Sequence, residues 1–219
     1  MKSDNYPLKV KAQPLALFET PVAYATLGQA ERLSADLLAA IAKKRSESHG
    51  IKRSNEGGWH SDTDMLEWGG AAAQKLAETA ISVAKKMSHF EGASVNDFNW
   101  QTKMWANVTE AGGLNTLHAH PGNLWAAVFY LDMGKTEGET QDSGGNFYLE
   151  DPRFPLVSMH NPGFRLLDGS GRPQQIQTQL KLKEGNMIVF PAWLRHGVHA
   201  YKGDEQRISV AMNIDAQPR

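Results

Sequence analysis

Two histidines stand two residues apart in Asn-Thr-Leu-His-Ala-His-Pro-Gly, as His118 and His120. Side chains alternate between the faces of a strand, so this spacing turns both imidazoles the same way. A same-face pair of neutral imidazoles is a two-point grip for a metal ion such as iron, zinc, copper or nickel. Pro121 ends the strand and sets the pair beside a short loop, where coordination positions left open by the protein can face a cavity. An imidazole pair that merely hydrogen-bonds within a sheet is the plain alternative. A third histidine bears on the choice: His196 follows the apolar run Met187–Leu194 and precedes Arg207 by eleven residues. That separation fits a hairpin whose imidazole and guanidinium enter one cavity. A buried guanidinium without a partner is costly, whereas a ligand carboxylate gives it charge-assisted bonds of about 1.5–3 kcal/mol each. A surface arginine on an alternating strand is the competing reading. His199 rivals His196 as third ligand, but residues three apart on a strand point to opposite faces, so one of them reaches the metal. His49, His60, His89 and His160 stand alone in polar or helix-end settings and read as surface or loop residues.

The elements that must position these groups follow from periodicity. Leu15–Tyr24 reads as an edge strand. Gly28–Ser48 reads as a helix, with Leu33, Leu37 and Ile41 on one stripe and Lys43, Lys44 and Arg45 suiting its C-terminal end. The polar stretch from His49 to Asp64, with Gly57-Gly58 inside it, reads as an irregular loop. Ala71–His89 forms a second helix, with Leu76, Ala80, Ile81, Ala84 and Met87 inward. From Phe98 onward the period becomes two. Strands are expected around Trp100–Val108, at Trp125–Leu131, Phe147–Leu149, Gln175–Leu182, Met187–Phe190 and Arg207–Ile214, with Pro- and Gly-rich turns between Pro152 and Pro173. Many short strands after helices argue for a mainly β fold with N-terminal helices, an antiparallel sandwich or barrel of jelly-roll type.

Composition narrows the function classes. The chain has 219 residues, 41% of them hydrophobic and 21% charged, which fits a folded globular protein. One domain is expected over 1–219, an N-terminal strand and helical cap (1–97) against a β core (98–219). The absence of cysteine excludes disulfides, thiolate zinc sites, iron–sulfur clusters and cysteine nucleophiles, so any metal rests on His, Asp, Glu or backbone. Lys plus Arg (23) nearly balances Asp plus Glu (24), which removes the broad basic field of a non-specific nucleic-acid binder. Neither a signal peptide nor a run of about 18 apolar residues is present, so a cytoplasmic location without membrane association is expected. Trp59, Trp105, Trp125 and Trp193 read as core or pocket walls. Gly144-Gly145 lacks the strand–GxGxxG–helix setting of a dinucleotide site and reads as a turn, and Glu150-Asp151 before Pro152 as a loop after a strand.

The succession His118-Ala-His120, the buried strand ending in Phe129-Tyr130-Leu131, Gly144–Arg153 (GGNFYLEDPR), Phe190–Val198 (FPAWLRHGV) and Arg207-Ile-Ser resembles the iron(II)/2-oxoglutarate-dependent oxygenases. The likeness is strongest to prolyl-hydroxylase-like members, and within them to a subfamily common in bacteria and their phages. LFETPV and GGWHS, near the start, resemble that subfamily's leader. The resemblance implies a double-stranded β-helix, a cupin-like jelly roll holding Fe(II) with 2-oxoglutarate as cosubstrate. It also implies oxidative decarboxylation to succinate, coupled to hydroxylation of a small molecule or a protein side chain. By the same resemblance His118 and His196 are metal ligands. Position 120 is where the pattern has Asp and this chain has His120. Arg207 pairs with the distal carboxylate of 2-oxoglutarate, Ser209 and Tyr130 assist it, and Asn115 and Asn107 face the cosubstrate. Three neutral imidazoles make a more cationic site than two and a carboxylate. Two alternatives therefore stay open: a three-histidine metal dioxygenase working without 2-oxoglutarate, and a non-enzymatic jelly-roll binding domain.

Overall fold

The computed structural model describes residues 9–134, except 14 and 16, and residues 143–219. Its elements run β1 (Ala23–Thr26), α1 (Glu31–Glu47), β2 (Asn55–Glu56), β3 (Trp59–His60), α2 (Met65–Trp68), α3 (Gly70–Lys86), β4 (Phe98–Thr109), β5 (Leu114–His118), β6 (Trp125–Asp132), β7 (Phe147–Glu150), β8 (Gln177–Leu180), β9 (Asn186–Pro191), β10 (His196–Val198) and β11 (Arg207–Pro218). A six-stranded sheet has the order β1-β9-β6-β11-β4-β3, and a five-stranded sheet the order β2-β5-β10-β7-β8. Together they form a double-stranded β-helix.

Burial on both faces explains the composition of the large sheet. On its outer face Met104, Ala106, Val108, Phe129, Val189, Val210 and Met212 pack with α1 and α3 in one apolar cluster. On its inner face Ala126, Tyr130, Ile188 and Phe190 meet Phe147 and Leu149 of the small sheet in a second cluster. Strands covered on both sides are apolar at nearly every position, which is why β6 and β9 lack polar alternation. The helices show the complementary pattern. Leu37 and Ile41 of α1 are buried at i and i+4. The inward face of α3 is Ala73, Leu76, Ala77, Ala80 and Ala84, a mostly small-residue stripe that lets the helix lie close on β4, β9 and β11. Among the described residues no helix is long and apolar enough to cross a membrane.

Three sequence expectations are corrected. The strand expected over Leu15–Tyr24 is confined to Ala23–Thr26. Pro21, which has no N–H to give a ladder, precedes it, and Leu15, Leu17 and Phe18 are exposed. The stretch from His49 to Asp64 is not simply irregular: β2 pairs with β5 and β3 with β4, so it supplies an edge to each sheet. Gly57 and Gly58 make this possible, with φ of 73° and 79°. A Cβ on Gly58 would lie 2.2 Å from the Val108 carbonyl oxygen. The third correction is that β10 and β11 do not form a hairpin. β10 pairs with β5 and β7 in the small sheet, and β11 with β4 and β6 in the large one. His196 and Arg207 therefore approach one cavity from opposite walls.

The two constraints on glycine can be separated by mutation. Gly112 is also left-handed (φ 81°) but has nothing within 4 Å of its added Cβ. Gly112→Ala is expected to cost about 1 kcal/mol, and Gly58→Ala, which adds a backbone collision, at least about 2 kcal/mol. Urea unfolding at unchanged m-value measures both, and equal losses would refute the close-docking account of Gly58.

Candidate metal centre

His118 closes β5 and His196 opens β10, and the two are directly opposed across the sheet. His120 lies just past the end of β5, where its backbone N–H donates to the Ala192 carbonyl at 2.8 Å. The three rings converge. Centroids of His118 and His196 are 4.3 Å apart, those of His118 and His120 5.0 Å, and those of His120 and His196 5.0 Å. One ring nitrogen from each lies within 4.8 Å of the others. Two tautomers are fixed by the backbone. Nδ1 of His118 donates to the Thr116 carbonyl at 2.7 Å, and Nδ1 of His196 to the Leu194 carbonyl at 2.9 Å. A carbonyl only accepts, so each proton sits on Nδ1 and each Nε2 lone pair is left for a metal.

Electrostatics keeps these rings neutral. Burial, aided by repulsion from His118 and opposed by the Leu194 carbonyl, pushes His196 down to about 3. Burial and the neighbouring His118 push His120 down to about 4. Burial also lowers His118, against the Thr116 carbonyl. A metal bound there would meet imidazoles that carry no competing proton at neutral pH.

The opposite end of the cavity is built for an anion. On the inner face of the large sheet, Asn107 of β4, Ser209 of β11 and Tyr130 of β6 stand in one cross-strand row. Arg207 follows two residues before Ser209 and is 2% exposed. Its guanidinium carbon lies 5.0 Å from the centre of the Tyr130 ring. Among the described residues, Nε and Nη2 of Arg207 and the hydroxyl of Tyr130 have no hydrogen-bond partner. Burial, resisted by Arg207, pushes the Tyr130 phenol up to about 12, so it remains a donor. Gly145 (φ 64°) passes over this end, and a Cβ there would lie 3.2 Å from Cδ of Arg207. A buried cation beside unpartnered donors is unfavourable unless a ligand's negative charge completes it. The donor set fits a carboxylate, and the imidazole set fits Fe(II). Residues of both ends line one cavity, holding about 490 Å3 of empty space with its mouth included.

The candidate residues are brought together. Asn115 joins them through a bulge in which three residues of β10 (His196–Val198) oppose four of β5 (Asn115–His118), so that His118 and Asn115 both enter the cavity despite their odd spacing. The Asn115 amide donates to Ser54 Oγ at 3.3 Å. His199 stays away from the triad, its ring stacked on Tyr148 at 4.3 Å. Glu150 ends β7 and pairs with Arg195, while Asp151 pairs with Arg153. Two expectations fail. Trp193, expected in the core or a pocket wall, is 54% exposed on the turn between β9 and β10, whereas Trp59, Trp105 and Trp125 are buried. His60, expected on the surface or in a loop, is a buried β3 residue only 3% exposed, because β3 opposes it to Asn107 on the inner row. A two-residue strand has no periodicity for a sequence reading to detect.

The family described as "Putative 2OG-Fe(II) oxygenase" matches residues 103–213, just over half of the chain, and the protein belongs to that family. It is therefore a 2-oxoglutarate-dependent oxygenase that uses Fe(II) and 2-oxoglutarate. No curated protein sequence matches significantly. Solved structures share the fold at low identity. A prolyl hydroxylase from Trichoplax adhaerens, in complex with a hypoxia inducible factor oxygen degradation domain peptide fragment, is 12% identical with a TM-score of 0.61, over 89% of this chain and 83% of that one. A Pseudomonas putida prolyl-4-hydroxylase is 12% identical with a TM-score of 0.55, over 91% and 94%. HygX from Streptomyces hygroscopicus, with nickel and 2-oxoglutarate bound, is 14% identical with a TM-score of 0.59, over 90% and 83%. Family membership disfavours both the 2-oxoglutarate-independent and the non-enzymatic alternatives.

The buried imidazoles make a pH prediction for the metal-free protein. An unfolded chain protonates its histidines near pH 6.5, while folding holds these three lower. As pH falls below about 6.5 the unfolded state binds more protons, so stability is full above that value and declines toward pH 4. The urea midpoint of metal-free protein should fall between pH 7 and 4.5, and His196→Phe should flatten the decline. An unchanged slope in that variant would remove His196 as a source.

Proposed function

We propose that His118, His120 and His196 hold the Fe(II), that Arg207, assisted by Ser209 and Tyr130, binds the distal carboxylate of 2-oxoglutarate, and that the enzyme hydroxylates a small molecule or a protein side chain. The observation that carries this reading is the pairing, within one cavity, of three converging imidazoles with a buried guanidinium whose Nε and Nη2 lack partners among the described residues. When bound, iron and 2-oxoglutarate supply dioxygen activation coupled to decarboxylation of the keto acid to succinate.

The protein's own part is to bind, orient and shield. The Nδ1–carbonyl bonds of His118 and His196 aim their Nε2 atoms. Arg207 and the Tyr130 hydroxyl give a carboxylate donors on the large sheet, across the cavity from His118 and His196. Asn115, level with Val198 on the small sheet, flanks the passage between the two ends. Ala126, Phe147 and Phe190 supply apolar wall and limit water. The Trichoplax prolyl hydroxylase is in complex with a peptide fragment, which supports including a protein side chain among the substrates. We read residues 1–219 as one domain. That β1, β2 and β3 from the first 97 residues complete both sheets supports this reading.

An anaerobic titration of Fe(II)-loaded protein with 2-oxoglutarate tests the assignment, followed by the visible charge-transfer band of a chelated keto acid. Arg207→Ala should raise the half-saturating concentration about 100-fold, the worth of two charge-assisted bonds. Saturation at the wild-type concentration in a folded variant would overturn the role of Arg207. Loss of the band in His196→Ala is expected as well, and its persistence would remove His196 from the ligand set.

A further inference from the structure

His120 is held differently from its two partners. The rings of His118 and His196 are each fixed by an Nδ1–carbonyl hydrogen bond, but among the described residues no hydrogen bond reaches the ring of His120. Its ring lies instead against Trp105, centroids 5.7 Å apart. The indole N–H groups of Trp59, Trp68, Trp100 and Trp125 each donate to an acceptor, and that of Trp105 finds none among the described residues. His60 stacks on Trp105, with centroids 5.7 Å apart and planes within 12° of parallel. His60 is where the chain of contacts becomes rigid. Its Nδ1 donates to the Ser61 carbonyl at 2.5 Å. Ser61, fully buried, is locked to β4 by two reciprocal bonds of 3.0 Å: its N–H donates to the Ala106 carbonyl, and its Oγ accepts from the Ala106 N–H.

We infer that His60, acting through Trp105, is the positioning residue that orients the ring of His120. The stack does for this ligand what backbone carbonyls do for the other two. Packed rings can perform this service because a closely packed side chain has few rotamers open to it. Partners that orient metal ligands typically contribute 10- to 100-fold in metal affinity, and the clamp should act on that scale. The inference rests on the assignment of His120 as a metal ligand.

The test uses Co(II) added to the full chain, read by its visible ligand-field spectrum and by its dissociation constant. His60→Ala should weaken Co(II) binding about tenfold and shift the spectrum. His60→Phe, which keeps a flat ring against Trp105, should restore most of both. Trp105→Leu should reproduce the alanine effect, and the His60→Ala/Trp105→Leu double variant should lose little more than the worse single one, because both break the same chain of contacts. Thermal unfolding without metal checks that each variant is folded. Should His60→Ala not fold, the comparison of His60→Phe with Trp105→Leu decides. A wild-type spectrum and affinity in folded His60→Ala or Trp105→Leu, or additive losses in the double variant, would overturn the clamp. Failure of the unmodified protein to bind Co(II), or binding that survives His120→Ala unchanged, would instead overturn the ligand assignment beneath it.

Discussion

Arg207–Pro218 of β11 runs antiparallel to Phe98–Thr109 of β4 without a break in register, and the rest of the molecule is arranged around that pairing. Because side chains alternate, one strand serves two purposes. Val210, Met212 and Ile214 turn outward to the helices, while Arg207, Ser209 and Ala211 turn inward to the cavity. A slip of one residue would exchange the two sets, exposing the guanidinium to the helical core and the apolar residues to the site. The helices are therefore part of what holds the site. Burying the outer set against α1 and α3 fixes the register that delivers the inner set.

The cavity is polarised along its length. At one end neutral imidazoles gather, kept free of protons by burial; at the other a guanidinium and a phenol that resists ionisation wait with donors unpaired among the described residues. Each end is unfavourable in isolation, and under the proposed assignment each would be satisfied by a different part of one ligand set, a cation held by lone pairs and a carboxylate held by donors. If His120 is the third ligand, as proposed, the three imidazoles contribute no negative charge and would leave a bound metal more cationic than two histidines and an aspartate would.

Much of this was legible in the residues. The spacing of His118 and His120, the apolar approach to His196 and the position of Arg207 are local patterns, and period-two alternation placed β4, β6 and β11, which carry Asn107, Tyr130 and Arg207; the strand expected to carry both His118 and His120 as far as Pro121 instead ends at His118, leaving His120 on the segment beyond it. What escaped was non-local. His196 and Arg207 look like a hairpin because they are near in sequence, but β10 finds its partners in β5 and β7, about 80 and 50 residues away. The short segment around Trp59-His60 shows no pattern of its own. It becomes a strand only because Gly58 allows the backbone to lie against β4, and so the sequence reads His60 as a surface or loop residue. Trp193 failed for the opposite reason: an apolar sequence neighbourhood does not say which way a turn residue points.

That exposed Trp193 gives the molecule a light source on the turn that leads into His196. Of six tryptophans, it is the one left open to solvent, on a turn whose Ala192 accepts from the backbone of His120 and donates to that of Leu124. A dissolved quencher of indole emission therefore reaches Trp193 before the others. The fraction of fluorescence lost to it reports the accessibility of the turn that leads into His196 and accepts from the backbone of His120.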